Sequence, residues 1–255
     1  MSDARLLFAQ EIIKEAGAIT LKYFRKSFQT ELKADFSPLT IADLECENFL
    51  RQKIAESFPR DGIYGEEQAK TGDQSQRWVI DPIDGTKSFV CGVPLYSVLL
   101  SYEINEIPVL GLCYVPAVDE LYFASTGNGA FCNNEPIQVS EKRDFGNAVI
   151  CCAGHKSMHN HGYDVGLNRI SNDLMASRTW CDAYGHMMVA RGDAVAMIDP
   201  VLEHYDISAP WLIVREAGGK FTTIDGKSDL PGASGLSSNG IMHEAILKII
   251  HGDKV

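Results

Sequence analysis

The chain has 255 residues, with 23 Lys+Arg against 34 Asp+Glu and a formal net charge of −11. At about 100–200 residues per domain, this length predicts one large domain or two closely packed halves. A content of 45% hydrophobic and 22% charged residues excludes disorder and fibrous architecture, and the acidic balance argues against nucleic acid as default partner, because a phosphodiester backbone needs a cationic surface.

Leu6, Ala9, Ile12, Ile13, Ala16, Ile19 and Tyr23 recur at helical spacing and predict a helix over 3–26, capped by Ser2 or Asp3. A second helix begins near Thr40, where Thr40-x-x-Asp43 has the form of a capping box, and Pro59 stops it. Ile63-Tyr64 and Arg77–Ile80 read as short strands, each delivering acidic residues at its C-terminal end. Leu95–Glu103, Pro108–Val115 and Glu120–Ala124 read as antiparallel strands, and Gly127–Gly129 with Asn133–Pro136 punctuate a further hairpin. Beyond about residue 145 the pattern alternates: strand Ala148–Cys152, a His-containing loop, helix 163–174, helix Ala183–Arg191, strand Ala194–Ile198, helix Ile207–Ala217 closed by Gly218-Gly219, strand Lys220–Ile224 and helix 241–250. Together these predict an α/β fold, a layered α+β sandwich, with an N-terminal region over 1–145 and a C-terminal region over 146–255 that completes one compact unit.

The seven cysteines, at 46, 91, 113, 132, 151, 152 and 181, are odd in number and hold no C-x-x-C pair, the usage of reduced thiols. Met1–Arg5 leads into an amphipathic pattern with no signal-peptide core. The most apolar stretch, Phe89–Tyr102, falls short of the ~20 residues of a membrane span, so a cytoplasmic protein without a membrane partner is expected.

The segment Trp78-Val-Ile-Asp81-Pro-Ile-Asp84-Gly85-Thr86 is the most informative. Two carboxylates three residues apart at the end of an apolar strand face one pocket, Gly85 lets backbone approach a ligand, and Thr86 adds a hydroxyl and an amide. Asp-Pro and Asp-Gly are also turn dipeptides, and a tight turn accounts for the segment taken alone. Glu66 lies 15 residues upstream, after the other short strand, and Asp206 stands before Ile207-Ser-Ala-Pro as either a helix N-cap or a ligand. Several carboxylates converging without basic partners are costly unless a divalent cation neutralises them, and an all-oxygen set favours Mg²⁺ or Mn²⁺ over Zn²⁺.

Glu66-Glu67, Asp81-Pro-Ile-Asp-Gly-Thr86, Tyr205-Asp206-Ile-Ser-Ala-Pro and Glu216-Ala-Gly-Gly219, in that order, strongly resemble the inositol monophosphatase family of Mg²⁺-dependent, lithium-sensitive phosphatases. Tyr205 departs from the Trp common in relatives, aromatic for aromatic. The resemblance implies the αβαβα sandwich of the inositol monophosphatase/fructose bisphosphatase superfamily, two or three Mg²⁺ per site, a small phosphorylated metabolite as partner, and a homodimer. It implies that Glu66, Asp81 and the Ile83 carbonyl hold a first Mg²⁺ whose water attacks phosphorus. Asp81, Asp84 and Asp206 would hold a second that steadies the leaving oxygen, while Thr86 positions the water and the Gly85 and Thr86 amides cradle the phosphate. Asp43 matches a third, weaker metal position, or is only a capping-box acid; Lys33 would offset phosphate charge, or is only a surface lysine. Gly226-Lys227-Ser228 resembles the end of a P-loop, but Phe221 stands where Gly is needed, and no G-x-S-x-G is present.

Specificity is expected from Arg178-Thr-Trp-Cys-Asp182-Ala-Tyr184-Gly and from Asp199. Asp182 and Tyr184 resemble the histidinol-phosphate phosphatase branch, whereas inositol-specific relatives carry small residues there. Histidinol phosphate bears an ammonium and an imidazole that extra carboxylates attract. Arg178 would hold the phosphate or anchor Asp182, and Asp182 is otherwise an N-cap before Ala183. Trp180 and Tyr184 read as core or wall. The histidines 155, 159 and 161 read as a solvated loop, since their spacing matches no zinc set. The expected activity is hydrolysis of L-histidinol phosphate in histidine biosynthesis. The alternatives are an inositol-1-phosphatase and, from another class, a family member that binds transcription-antitermination factors. Nucleotide 3′-phosphatases and sugar bisphosphatases usually carry insertions for which 255 residues leave little room.

Overall fold

The computed structural model describes residues 3–26, 30–32, 38–180, 182–227, 230 and 233–252. Ser2, Lys33, most of the link that follows it, and Cys181 lie outside the described residues. The chain runs α1 (Asp3–Tyr23), β1 (Thr30–Leu32), β2 (Pro38–Thr40), α2 (Ile41–Ser57), β3 (Asp61–Gly65), β4 (Asp73–Asp84), α3 (Thr86–Val90), β5 (Ser97–Ile104), β6 (Ile107–Val115), β7 (Glu120–Ser125), β8 (Ala130–Cys132) and β9 (Glu135–Ile137). It continues with β10 (Val149–Cys152), α4 (His155–Asn160), α5 (Asp164–Ile170), β11 (Ala176–Arg178), α6 (Asp182–Ala190), β12 (Ala196–Asp199), α7 (His204–Glu216), β13 (Lys220–Thr222), β14 (Gly235–Ser238) and α8 (His243–Ile250).

Strands β3 to β9 form a seven-stranded sheet in chain order, antiparallel except for the parallel β3–β4 pair. A five-stranded sheet has the order β11-β10-β12-β14-β13. Alternate residues of the central strands feed two different cores. Val98, Leu100 and Tyr102 pack with Trp78, Ile80 and Leu112 against Ile12 and Ile13 of α1 and Leu50 and Ile54 of α2. Leu99, Cys113 and Tyr122, on the opposite face, pack against Met187 of α6 and Leu212 and Ile213 of α7, which also cover Val149, Cys151 and Met197 of the second sheet. The outer face of that sheet, with Ile150, Ala196, Ile198 and Leu236, is covered by α4, α5 and α8. The layers are therefore helix, sheet, helix, sheet, helix, as the sequence led us to expect. Strand β5 is buried on both faces with no alternation, and Ser97, Ser101 and Glu103 are buried along with its apolar residues.

Several local expectations needed correcting. The first helix ends at Tyr23, and the His-containing loop is the short helix α4, followed by a seven-residue α5 in place of a helix over 163–174. The Asp81–Asp84 segment is not a turn: β4 runs through it with a bulge, Asp81 facing Leu99 and Asp84 facing Ser97. Helix α7 begins three residues earlier than expected. Its N-cap is Glu203, so Asp206 is the third helical residue, not the cap. Strands β11 and β14 carry no signal strong enough to have been expected.

Candidate active site

The predicted acids meet where β3 and β4 end and α6 and α7 begin. Parallel pairing sets Gly65 opposite Ile80, and Glu66 N donates to Ile80 O at 3.1 Å, which brings Glu66 beside Asp81. The buried Glu47 of α2, paired with Arg51 at 2.7 Å, accepts from Glu67 N at 2.8 Å and fixes the chain leaving β3. On β4 the extra residue of the bulge re-aims both carboxylates toward one end of the sheet. Asp81 Oδ1 accepts from Ile83 N at 3.1 Å, and Asp84 Oδ2 accepts from Ser97 Oγ at 2.9 Å and from Ala183 N of α6 at 2.8 Å. A capping box holds Asp206, whose Oδ2 accepts from Glu203 N at 2.7 Å. Ligand oxygens of Asp81, Asp84 and Asp206 all lie within 4.8 Å of one another, the one such acid cluster among the described residues.

The cavity over these acids has about 270 Å³. Seven carboxylates line it, those of Glu66, Asp81, Asp84, Asp182, Asp199, Glu203 and Asp206, with Lys87 the single basic residue among the lining. Burial, then the charges of Glu66, Asp84 and Asp206, pushes Asp81 well above the usual carboxylate range. Burial, then Asp182 and Asp206, does the same to Asp84. Asp206 is pushed up to about 7 and Asp199 to about 8, in both cases chiefly by burial. Carboxylates so crowded in a low-dielectric site hold protons unless a cation takes their place, and an all-oxygen set suits a hard divalent ion. The residues present thus fit a Mg²⁺- or Mn²⁺-type centre.

The structure brings Gly85 and Thr86 to the same cavity, and Thr86 Oγ1 donates to Ile83 O at 3.1 Å. Gly85 has φ +79°, which favours glycine, and a Cβ there would lie 2.8 Å from Asp182 Oδ2, so that carboxylate would have to shift. Asp182 and Asp199 line the wall as expected, Asp182 in the left-handed region at φ 59° as the first residue of α6. Two candidates are elsewhere. Arg178 is exposed at the end of an edge strand, donates to Ser177 O and lies over the Trp180 ring, and it is not among the residues that line the cavity. Asp43 is fully buried in the predicted capping box, accepting from Thr40 N at 2.8 Å, and does not line the cavity. Trp180 is exposed, not core. Reading the sequence missed Lys87, because a lysine after Asp-Gly-Thr reads as a solvated face; the only signal was its place one residue beyond the motif. Among the described residues no helix is long and apolar enough to cross a membrane.

Carboxylates gathered at the strand ends and helix starts of an αβαβα sandwich, with a threonine and a lysine beside them, define a metal-dependent phosphatase architecture. Comparison with known proteins agrees. The inositol monophosphatase family model matches residues 2–253, and the chain belongs to that family of metal-dependent phosphoric monoester hydrolases. The chain is 37% identical over 248 residues to the histidinol-phosphatase of Chlorobaculum parvum, covering 96% of each. It is 32% identical over 231 residues to the inositol-1-monophosphatase of Mesorhizobium japonicum, covering 88% of this chain and 87% of the relative. The Thermotoga maritima IMPase superposes with a TM-score of 0.90 at 28% identity, over 97% of both chains.

Proposed function

We propose that the chain hydrolyses a small phosphate monoester whose alcohol carries positive charge, L-histidinol phosphate before inositol 1-phosphate. The observation that carries this is the acidic wall: Asp182 and Asp199 line the cavity in addition to the Asp81–Asp84–Asp206 cluster. To a neutral polyol two further carboxylates offer only hydrogen-bond acceptors, whereas an ammonium and an imidazole gain charge attraction from them. The histidinol-phosphatase relative supports the same choice.

Glu66, Asp81 and the Ile83 carbonyl would hold one divalent cation, and Asp81, Asp84 and Asp206 a second. Bound there, Mg²⁺ or Mn²⁺ supplies a more acidic water and neutralises charge on the phosphoryl and leaving oxygens. The protein's own groups do the remaining work. The Thr86 hydroxyl, anchored to Ile83 O, orients the attacking water; the Gly85 and Thr86 amides and the Lys87 ammonium receive the phosphoryl oxygens; Asp182 and Asp199 orient the cationic alcohol.

The test is phosphate release with Mg²⁺ from histidinol phosphate and inositol 1-phosphate at equal concentration, with Asp81→Asn and Asp84→Asn alongside. Preference for histidinol phosphate and a loss on the order of a thousandfold in either variant are expected. Preference for inositol phosphate overturns the substrate, and wild-type rates in the variants overturn the site.

A further inference from the structure

The first turn of α7 must hold Asp206 steady, yet its own backbone is ill equipped to do so. Pro210 stands four residues beyond Asp206 inside the helix, so the N–H that would bond the Asp206 carbonyl is missing and the ring crowds that carbonyl. The opening amides of a helix lack intrahelical partners in any case. The Glu203–Asp206 capping box meets part of this need, and contacts from outside the helix meet the rest. His204 Nε2 lies 2.7 Å from Glu103 Oε1 and 3.2 Å from Arg77 Nη2, and Ser208 Oγ donates to the same Glu103 oxygen at 2.6 Å. Glu103, fully buried on β5, takes Arg77 Nε of β4 on its other oxygen at 2.8 Å. The His204 ring also stacks on Tyr64 of β3, with centroids 5.5 Å apart and planes 8° from parallel, and Lys70 Nζ sits 3.9 Å from the centroid of the Tyr64 ring.

Tyr64 precedes Glu66 by two residues, and His204 precedes Asp206 by two. One imidazole therefore touches both the strand that leads to Glu66 and the helix that leads to Asp206, segments remote in sequence. Packing alone would be served by a leucine at 204. Instead three polar side chains, of His204, Ser208 and Arg77, converge on a buried carboxylate that has no place in the cavity lining.

We propose that His204 and Glu103 are positioning residues that clamp the start of α7 to β3–β5, and that this clamp sets the placement of Asp206 against Glu66 and hence the affinity for divalent cation. The proposal rests on the site reading given above. Its test is direct Mn²⁺ binding by calorimetry on the full chain, with Mg²⁺ half-activation, KM at saturating metal and thermal midpoint measured in parallel. In His204→Ala the Mn²⁺ dissociation constant and the Mg²⁺ half-activation concentration should both rise about tenfold, the range seen when groups orienting metal ligands are lost. KM at saturating metal should change less than about threefold, and His204→Gln, which keeps an N–H for Glu103, should recover most of the affinity. Should His204→Ala fail to fold, Tyr64→Leu carries the same expectation and Tyr64→Phe is its ring-preserving control. Folded variants with a lowered midpoint but wild-type Mn²⁺ affinity overturn the proposal. Mn²⁺ binding that is absent in wild type, or undiminished in Asp81→Asn, overturns the site reading and takes the clamp with it.

Discussion

Replacing Asp199 by Asn removes a titrating carboxyl from a position that is 6% exposed and faces Asp182, Asp206 and Lys87. Burial holds this carboxyl up to about 8 in the folded protein, against an ordinary value of 3.8. Between these values the unfolded chain has released the proton and the folded chain keeps it, so folding stability is full below pH 4 and falls as pH rises toward 8. A shift of about four units, at about 1.4 kcal/mol each, sets a ceiling of about 5–6 kcal/mol on the loss. Asn titrates nowhere, so Asp199→Asn should gain on wild type progressively from pH 4 to 8. If half of the ceiling is realised, about 3 kcal/mol raises the thermal midpoint by roughly 6–12 °C at the alkaline end. The assay is thermal unfolding of both proteins in excess chelator at pH 5, 6.5 and 8. Parallel pH profiles for the two proteins would refute the reasoning, because they would show that Asp199 ionises in the folded state as freely as in the unfolded one.

The same variant has a catalytic signature above pH 8, where Asp199 carries its charge: kcat/KM for histidinol phosphate should fall there about 10- to 100-fold and that for a neutral phosphate ester much less, since one charge at pocket distance is worth about 1–3 kcal/mol. Lys87→Met should raise KM for every phosphate ester and weaken inhibition by inorganic phosphate about tenfold, leaving Mn²⁺ binding by calorimetry unchanged. Gly85→Ala places a methyl 2.8 Å from Asp182 Oδ2 at φ +79°, and a cost of about 1–2 kcal/mol in thermal stability together with a loss of activity is expected. His243 is buried between Thr222 Oγ1 at 2.9 Å and Ser238 Oγ at 2.7 Å, and burial lowers it to about 4. Its contribution is present above pH 6.5 and lost as pH falls through 4, so His243→Gln should flatten the acid limb of stability, read from unfolding midpoints at pH 4, 5 and 7.

What could be read in advance, and what could not, divides along a physical line. The chemical type of a side chain is carried by the residue itself. Glu66, Asp81, Asp84 and Asp206 pointed to a cation site because carboxylates that converge without basic partners are costly unless a cation neutralises them. The helix and strand periods were legible for the same local reason, as was the Thr40–Asp43 capping box. Geometry, by contrast, is settled by partners far away. Asp-Pro-Ile-Asp has every local mark of a turn, and what makes it a bulged strand is β5, whose Leu99 and Ser97 take Asp81 and Asp84 as neighbours.

The misread residues obey the same rule. Glu203-x-x-Asp206 lacks the Ser, Thr, Asp or Asn that marks an N-cap in sequence, and the helix start through His204-Tyr205 is met by Glu103, 101 residues away, and by Tyr64, which contact the imidazole. Asp182, expected to face the leaving group or else to cap the helix before Ala183, opens α6 itself, and the Ala183 amide goes to Asp84 Oδ2 across 99 residues. That leaves the Asp182 carboxylate to face the cavity from a left-handed backbone. Arg178 looked like a phosphate ligand by nearness in sequence, and the pairing of β11 with β10 carries it to the sheet edge instead. A site assembled from element ends has this property in general. Each functional side chain sits where local structure stops, so local propensity says least about the positions on which the chemistry depends, and the long-range hydrogen bonds that decide them are also the ones whose removal should be felt at the metal.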